Sequence, residues 1–248
     1  MSDNNTVYLI TGANRGIGLA ITSLLLSRPH ATVIATSRTP AASLAALSGI
    51  HATSRLIPVL LDEAQPALTS ATLPARLANG GEHGRIARVD VVIANAGGSS
   101  AVKDVLGTDP GTEMVWDFEV NAVGPAKLFR AVWPLLDPAA TTTESESGGG
   151  EGKKTKKFVL ISSSIGSIAN LELESLPGIG YGMSKAAANW WAKKLSTGLG
   201  QGLADAIGFK EPPLTVEQSA QGVVEQVDNW TPEKSGQFLT YKGEQMPW

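Results

Sequence analysis

Residues 6–18 read TVYLITGANRGIG, a sequence that predicts a β-strand, a tight turn and the beginning of an α-helix. Thr6–Thr11 is an apolar, β-branched run typical of a strand, and Gly16–Ser27 has apolar residues at helical spacing. The glycines of the turn lack a Cβ, so backbone N–H groups and the helix N-terminus can approach a pyrophosphate. A simple tight turn is the alternative, but the strand before it and the helix after it favour a dinucleotide site.

The rest of the chain repeats this alternation of strands and helices. Further strands are predicted at Thr32–Ser37, Arg55–Leu61, Val89–Ala94, Phe158–Ser162 and Gly236–Tyr241, and further helices at Ala41–Leu47, Ala64–Ala78, Thr112–Leu136, Tyr181–Leu195 and Thr215–Val227. The alternation predicts an α/β fold with a doubly wound parallel sheet in three layers, helices covering both faces. Pro58 places the third strand near an edge, and Thr215 is the predicted cap of the last helix.

Net charge and composition exclude several classes of function. The formal net charge is −3, and the lysines within residues 153–157 are interpreted as part of a solvated loop, so no nucleic acid partner is predicted. Cysteine is absent, which excludes disulfides and thiolate catalysis, and the three histidines show no metal-ligand spacing. The polar N-terminus leads directly into a strand, so we expect no signal peptide, no membrane span and a cytoplasmic protein.

The length of 248 residues predicts one domain, 1–248. Residues 138–157 differ in composition, with runs of Thr, Glu, Ser, Gly and Lys. We predict a flexible insertion there rather than a domain boundary, because a strand of the same sheet follows it.

Tyr181 and Lys185 lie four residues apart, on one face of a predicted helix. A neighbouring cation favours the phenolate and lowers the pKa of a phenol, which makes tyrosine a better proton donor near neutral pH. The same spacing also occurs where a tyrosine at the edge of a core precedes a solvated lysine. The pair becomes a candidate acid only in combination with other polar residues of the chain.

Those other residues lie in three segments. Asn95-Ala96-Gly97 and Ser163 follow predicted strands, at the carboxyl edge where ligands bind in open α/β sheets. Asn121 lies inside a predicted helix, where asparagine is a middling helix former at best, so we expect its amide to have a partner and the helix to have a local bend with a bound water. Physical reasoning alone does not choose among Ser162, Ser163 and Ser164.

The second strand indicates which dinucleotide is bound. An NAD site usually has Asp or Glu at its end, whereas NADP needs a cation for its 2′-phosphate. Here the strand ends at Ser37-Arg38 without a carboxylate, and Arg38 and Arg15 are predicted to bind the phosphate of NADPH or NADP+. The alternative is two solvated arginines. Asp62 is predicted either to contact the adenine amino group or to cap a helix.

Together these residues resemble the short-chain dehydrogenase/reductase family, from Thr6 to Trp248. The family patterns TGxxxGxG, NAG and YxxxK are matched at 11–18, 95–97 and 181–185. The resemblance implies a Rossmann-type fold. The predicted cofactor-binding residues are Gly12, Asn14, Arg15, Gly16, Ile17, Gly18, Arg38, Asp62, Asn95, Ala96, Gly97, Tyr181 and Lys185.

The resemblance also implies the catalytic roles. Tyr181 is expected to protonate a ketone oxygen while the nicotinamide delivers a hydride to the carbon. Lys185 is expected to lower the pKa of Tyr181 and to hold the nicotinamide ribose. Ser163 is expected to polarise the carbonyl, and it is preferred because the family spacing Ser-x-x-Gly ends at Gly166. Asn121 is expected to anchor a water relay to Lys185.

Within the family, residues 181–189 and 236–248 are similar to fungal ketoreductases of the norsolorinic-acid type and to sniffer-like carbonyl reductases. This implies a small-molecule ketone of aromatic or polyketide type as substrate. It also implies a homo-oligomer, dimer or tetramer, formed through the helices Thr112–Leu136 and Tyr181–Leu195. Trp190 and Trp191 are expected on that interface, or else in the core.

One departure from the family concerns residues 195–210. Family members have an apolar strand ending in Pro-Gly there, whereas this chain is rich in glycine, so we predict that the sheet lacks one strand. Three explanations are open. The last strand pairs with the fifth, the Gly-rich stretch itself forms a short strand, or the chain is a truncated product that folds poorly. NADPH-dependent ketone reduction is the predicted function, with a non-catalytic dinucleotide-binding protein or a truncated inactive family member as alternatives.

Overall fold

The computed structural model describes residues 5–40, 42–62, 77, 86–100, 102–137, 156–173, 178–198, 205–208 and 215–248. These residues contain a seven-stranded sheet. Its strands are β1 (Thr6–Ile10), β2 (Ala31–Ser37), β3 (Arg55–Leu60), β4 (Val91–Ala94), β5 (Lys157–Ile161), β6 (Asp205–Gly208) and β7 (Phe238–Thr240). Every neighbouring pair is parallel, in the order β3-β2-β1-β4-β5-β6-β7. Pro58 lies in the edge strand β3, as predicted.

The helices alternate with the strands. They are α1 (Gly16–Leu26), α2 (Ala42–Ala45), α3 (Val115–Phe118), α4 (Gly124–Leu136), α5 (Ile179–Gly198) and α6 (Val216–Asp228). The predicted helix over 112–136 is one helical segment in which π-helical turns at Pro110–Met114 and Glu119–Val123 flank α3. Thr215 caps α6 through a capping box with Gln218, as predicted. Among the described residues, no helix combines the length and apolar character that a membrane span requires.

Among the described residues, two long helices cover each face of the sheet. Leu9 and Phe158 pack with side chains of α4 and α5, whereas Ile10 and Val159 pack with side chains of α1 and α6. Successive residues of a strand point to opposite faces, so the same strands contribute to both cores. The predicted three-layer, doubly wound architecture is confirmed.

The two adjacent tryptophans of α5 lie in different environments. Trp191 lies against Phe158 and Phe129, with ring centroids 5.9 Å from each. Trp190 is 68% exposed. The prediction that both face the same environment is therefore wrong, because adjacent helical residues project about 100° apart.

The predicted absence of a strand after the helix with Tyr181 is corrected by β6. This strand lies between β5 and β7, where Ile207 pairs with Ile161 and Leu239. The Gly-rich stretch therefore forms a short strand itself, which is the second of the three explanations above. With four residues, β6 pairs the inner edges of β5 and β7 and satisfies backbone groups that would otherwise lack partners.

Two predicted segments lie outside the described residues. They are the helix Ala64–Ala78, except for Leu77, and the insertion 138–157, except for its last two residues.

The winding of the chain reverses between β1 and β4. The strands β2 and β3 follow β1 towards one edge, and β5, β6 and β7 follow β4 towards the other. In open α/β sheets, ligands bind at the carboxyl ends of the strands beside such a switch point. The turn after β1 and the residues after β4 and β5 all end at this edge.

Candidate active site

The turn between β1 and α1 forms a cradle at the switch point. Gly12 and Gly16 have φ angles of +63° and +54°, which glycine adopts without strain. A Cβ at Gly18 would lie 2.4 Å from the carbonyl oxygen of Gly12, so a larger residue would not fit there. The first turn of α1 has no acidic residue, and its N-cap Arg15 makes no side-chain cap hydrogen bond. Its N–H groups and positive dipole end suit a phosphate.

Asn95 and Thr11 connect the cradle to β4. The Asn95 amide donates hydrogen bonds to the carbonyl oxygens of Thr11 (2.9 Å) and Gly12 (3.4 Å). The Ala96 N–H donates to the Thr11 hydroxyl at 3.0 Å. These bonds hold the segment Asn95–Gly97 beside the glycine turn, so the predicted cofactor residues of β1 and β4 do come together.

The other predicted cofactor residues surround this cradle. Arg15 and Arg38 are exposed, and within the described part of the chain neither guanidinium forms a salt bridge. Asn14 is half-buried, and its carbonyl oxygen accepts a 2.6 Å hydrogen bond from the Ser43 hydroxyl. Ile17 and Asp62 are half-buried, in α1 and just after β3. The two arginines therefore keep their charge available to an anionic ligand.

Asn121 lies in the π-helical turn Glu119–Val123, fully buried. Its amide nitrogen donates to the Gly98 carbonyl oxygen (2.7 Å) and the Ser184 hydroxyl (3.0 Å), and its amide oxygen accepts from the Gly98 N–H (3.0 Å). The predicted amide partners are present, and the backbone at this residue forms a π-helical turn. The amide thereby ties the long helical segment to α5 and to the residues after β4.

The three adjacent serines occupy different environments. Ser162 is buried, and its hydroxyl is hydrogen-bonded to the Asn189 amide oxygen. Ser163 has extended backbone angles before the 3₁₀ turn Ser164–Gly166, and its hydroxyl lies close enough to Tyr181 to lower the pKa of the phenol. Of the three, Ser163 is thus the one that meets the phenol.

Lys185 is 3% exposed and reaches into the same region. Its Nζ donates a 2.9 Å hydrogen bond to the Ile161 carbonyl oxygen and lies 5.6 Å from the centroid of the Tyr181 ring. A side chain at Gly97 would begin 3.3 Å from this Nζ and 2.9 Å from the Asn121 amide oxygen. Lys185 and Asn121 therefore border one space beside Gly97, which no side chain of that residue fills.

The electrostatics of Tyr181 differ from the sequence expectation. Burial raises the pKa of the phenol above its ordinary value, the hydrogen bond with Ser163 lowers it, and the Asp117 carboxylate raises it. The net direction is upward, opposite to the direction expected from Lys185 alone. Burial has the largest effect because distant elements enclose the ring, which the sequence does not reveal.

Three residues near the site were missed as site residues. Thr11 bridges β1 and β4, Ser184 accepts from Asn121, and Asp117 is a 1% exposed carboxylate that faces Tyr181. Thr11 belongs to the glycine-turn pattern and was identifiable from it. Asp117 and Ser184 carry no local signal, because their partners lie far away in the sequence.

The arrangement has the chemistry of a proton-donating site beside an anion cradle. The Tyr181 phenol has the Ser163 hydroxyl beside it and lies near the buried Lys185 ammonium. The glycine turn next to them offers backbone N–H groups at the N-terminus of α1. The residues present therefore fit a dinucleotide bound at the carboxyl edge between β1 and β4. Tyr181 and Lys185 lie where the end of the dinucleotide away from the glycine turn would reach.

Known proteins are similar to this chain in sequence and in fold. The profile of the short chain dehydrogenases matches residues 6–203. The norsolorinic acid ketoreductase of Dothistroma septosporum is 34% identical over 268 residues, which cover 98% of this chain and 92% of that protein. The NADPH-bound carbonyl reductase from chicken fatty liver has 28% identity and a TM-score of 0.80, covering 99% of this chain and 100% of that chain. The carbonyl reductase Sniffer of D. melanogaster, at 24% identity, has the same fold with a TM-score of 0.79, covering 98% of this chain and 99% of that chain. The similarities expected from the sequence are confirmed.

Proposed function

We propose that this chain, which belongs to the short-chain dehydrogenase family of oxidoreductases, reduces a ketone to an alcohol with NADPH. The observation that carries the proposal is the placement of Tyr181, with Ser163 beside its phenol and the Nζ of the buried Lys185 5.6 Å from the centroid of its ring, next to the glycine cradle. A phenol, a hydroxyl and an ammonium at the carboxyl edge of a dinucleotide-type sheet suit carbonyl chemistry.

Each side chain then has a defined task. When bound, the reduced nicotinamide supplies a hydride to the carbonyl carbon. Tyr181 donates its phenolic proton to the carbonyl oxygen, which completes the alcohol and leaves a phenolate. Ser163 orients the carbonyl and stabilises the phenolate by its hydrogen bond, and Lys185 offsets the negative charge. Asn121 and Lys185 border the space beside Gly97, through which a water relay would return a proton to the phenol.

A preference for NADPH is supported by the two exposed arginines at the cradle. A 2′-phosphate carries negative charge, and charge-assisted hydrogen bonds from guanidinium groups bind it well. The strand β2 ends at Ser37, with Arg38 next in the chain and no carboxylate at its end to hold a 2′-hydroxyl. The similar chicken carbonyl reductase was also solved with NADPH bound.

The proposed substrate is an apolar ketone of aromatic or polyketide type. The loop after β4 exposes Val102, Val105 and Leu106, and the loop after β5 exposes Ile168 and Leu171. Both loops leave the edge that carries Tyr181 and Ser163, so they would present apolar surface to a substrate there. The similarity to a norsolorinic acid ketoreductase supports the same substrate class.

The chain is also proposed to act as one domain that assembles into a dimer or tetramer. Met183 and Trp190 are seven residues apart on α5 and are 48% and 68% exposed, and Val115 on α3 is 53% exposed. Pro110, Met114 and Phe118 line a groove of about 300 Å³ on the same helical segment. A second copy would cover these apolar side chains. The cytoplasmic location stays a prediction from the sequence.

The test is turnover of NADPH with a panel of aromatic ketones, together with equilibrium binding of NADPH. We expect the wild type to reduce at least one ketone, and Tyr181→Phe to lose activity by about 100-fold or more. The variant should keep the wild-type Kd for NADPH, and Tyr241→Phe, a half-buried tyrosine in the turn after β7, serves as the control.

Binding of NADPH without turnover of any ketone would instead support a non-catalytic dinucleotide-binding protein. That alternative rested on a missing strand, and β6 removes this ground for it.

A further inference from the structure

Asp117 is a buried carboxylate with one unsatisfied oxygen. It lies on α3 and is 1% exposed. Its Oδ1 accepts a 2.7 Å hydrogen bond from the Ser100 N–H, whereas Oδ2 has no hydrogen-bond partner within the described residues. Leaving a buried charged oxygen unsatisfied lowers the stability of the folded state. A carboxylate kept at such a cost calls for an explanation in the function of the site.

The free oxygen points to the first turn of α5. A Cβ at Gly180, the residue before Tyr181, would lie 2.5 Å from Asp117 Oδ2. Only a glycine lets the carboxylate approach the backbone this closely. Asp117 therefore lies directly against the part of α5 that carries the phenol.

Asp117 also works together with Asn121, one turn further along the same helical segment. Asp117 holds the Ser100 N–H, and Asn121 holds both backbone groups of Gly98. The two side chains thereby fix the residues that continue from Asn95–Gly97. Oδ1 of Asp117 thus has a structural role, whereas Oδ2 faces the helix that carries Tyr181.

Among the described residues, the charged groups that face Tyr181 come from two elements. Lys185, on the same helix, lies over the ring, and Asp117 faces it from α3. Two other acids of the helical segment are neutralised elsewhere, because Glu113 pairs with Lys103 and Glu119 pairs with Lys127. The phenol therefore has both a cation and an anion near it.

We propose that Asp117 is a positioning residue of this active site, which fixes the segment after β4 and sets an anion against the helix of Tyr181, in opposition to Lys185. Its catalytic meaning rests on the proposed function. An anion nearby disfavours the phenolate, and Asp117 raises the pKa of the phenol. Tyr181 then stays protonated to higher pH, which favours its use as an acid and hence reduction over alcohol oxidation.

The test is a titration of the protein labelled with ¹³C at tyrosine Cζ, followed by NMR from neutral to alkaline pH. The chain has three tyrosines, so the Tyr181 signal is assigned by its loss in Tyr181→Phe. Asp117→Asn removes the charge and keeps an oxygen for the Ser100 N–H. We expect the Tyr181 titration to move to lower pH in this variant, with the Tyr8 and Tyr241 titrations unchanged.

The matched control is Glu119→Gln, which removes one negative charge from the same helical segment and should leave Tyr181 unchanged. An unmoved Tyr181 signal in Asp117→Asn, or an equal shift in Glu119→Gln, would overturn the proposal. If Asp117→Asn does not fold, Asp117→Ser removes the same charge from a smaller side chain, and the same shift is expected.

The pH dependence of kcat/KM separates this inference from the proposed function. In Asp117→Asn, the alkaline limit of ketone reduction should move to lower pH, and alcohol oxidation should begin at lower pH. A shifted tyrosine titration in a chain without any turnover would support the electrostatic role and overturn the proposed function. Turnover with an unmoved titration would overturn the role of Asp117 alone.

Discussion

Lys185 donates a 2.9 Å hydrogen bond from its Nζ to the carbonyl oxygen of Ile161, the last residue of β5. The bond ties α5 to the strand that leads to Ser163, two residues later. The same ammonium lies beside the Tyr181 ring. One lysine therefore both joins two elements of the site and supplies its positive charge.

Lys185→Met is expected to shift the pH optimum of activity to higher pH. Without the cation, the phenolate is less favoured, and each unit by which a pKa rises lowers the ionised fraction at fixed pH about tenfold. The measurement is kcat/KM as a function of pH. Lys194→Met, at an exposed position of the same helix, is the control, and a wild-type profile in Lys185→Met would contradict the role of the charge.

Gly18→Ala is expected to weaken NADPH binding by about tenfold or more, which corresponds to about 1.4 kcal/mol. The added Cβ would lie 2.4 Å from the Gly12 carbonyl oxygen and 2.5 Å from the Asn95 amide nitrogen, so the cradle must shift. Kd is measured by titration calorimetry. Gly49→Ala is the control, since its φ of +72° costs about 1–2 kcal/mol of strain but no atom crowds its Cβ. Equal Kd values in the wild type, Gly18→Ala and Gly49→Ala would contradict the prediction that the glycine turn binds the cofactor.

Arg38→Leu is expected to raise the Kd for NADPH by about tenfold and to leave the Kd for NADH unchanged, because only NADPH carries the 2′-phosphate. The comparison of the two cofactors in one variant controls for damage to the fold. The exposed Arg130 of α4, substituted in the same way, should change neither value. A parallel loss of both cofactors would mean that Arg38 does not read the phosphate.

Trp190→Glu is expected to separate the proposed oligomer into monomers in analytical ultracentrifugation. A tryptophan at the centre of an interface typically contributes about 2 kcal/mol or more, and a buried unpaired glutamate there opposes assembly. Val216→Glu, at a 39% exposed position of α6, is the matched control and should keep the wild-type mass. An unchanged mass in Trp190→Glu would place the interface on another surface.

Much of the site was predictable because a parallel sheet brings the carboxyl ends of its strands to one edge. The alternation of elements therefore placed the glycine turn, Asn95–Gly97 and Ser163 together before any side-chain contact was known. The cap of α6 at Thr215 was predictable for a different reason, since its hydrogen bonds join residues three apart.

Features that depend on distant contacts were not predictable. The strand β6 has only Ala206 and Ile207 as apolar residues, and its pairing with β5 and β7 rather than its local pattern makes it a strand. The upward direction of the Tyr181 pKa comes from burial and from Asp117, which lies on another helix. Trp190 and Trp191 look alike in sequence, and only the position of Phe129 and Phe158 decides which one is buried.

The short strand β6 also divides the protein into regions of different local stability. Among the described residues, the edge strand β7 pairs with the sheet through Ala206, Ile207 and Gly208 of β6, so the amide hydrogens of residues 238–240 should exchange with solvent together with those of β6. They should exchange faster than those of β1 and β4 at the centre. The chain after β7 accepts hydrogen bonds from Ser167 and Ala169, in the loop that follows Ser163. Opening of this outer pair therefore also frees the loop beside the active site.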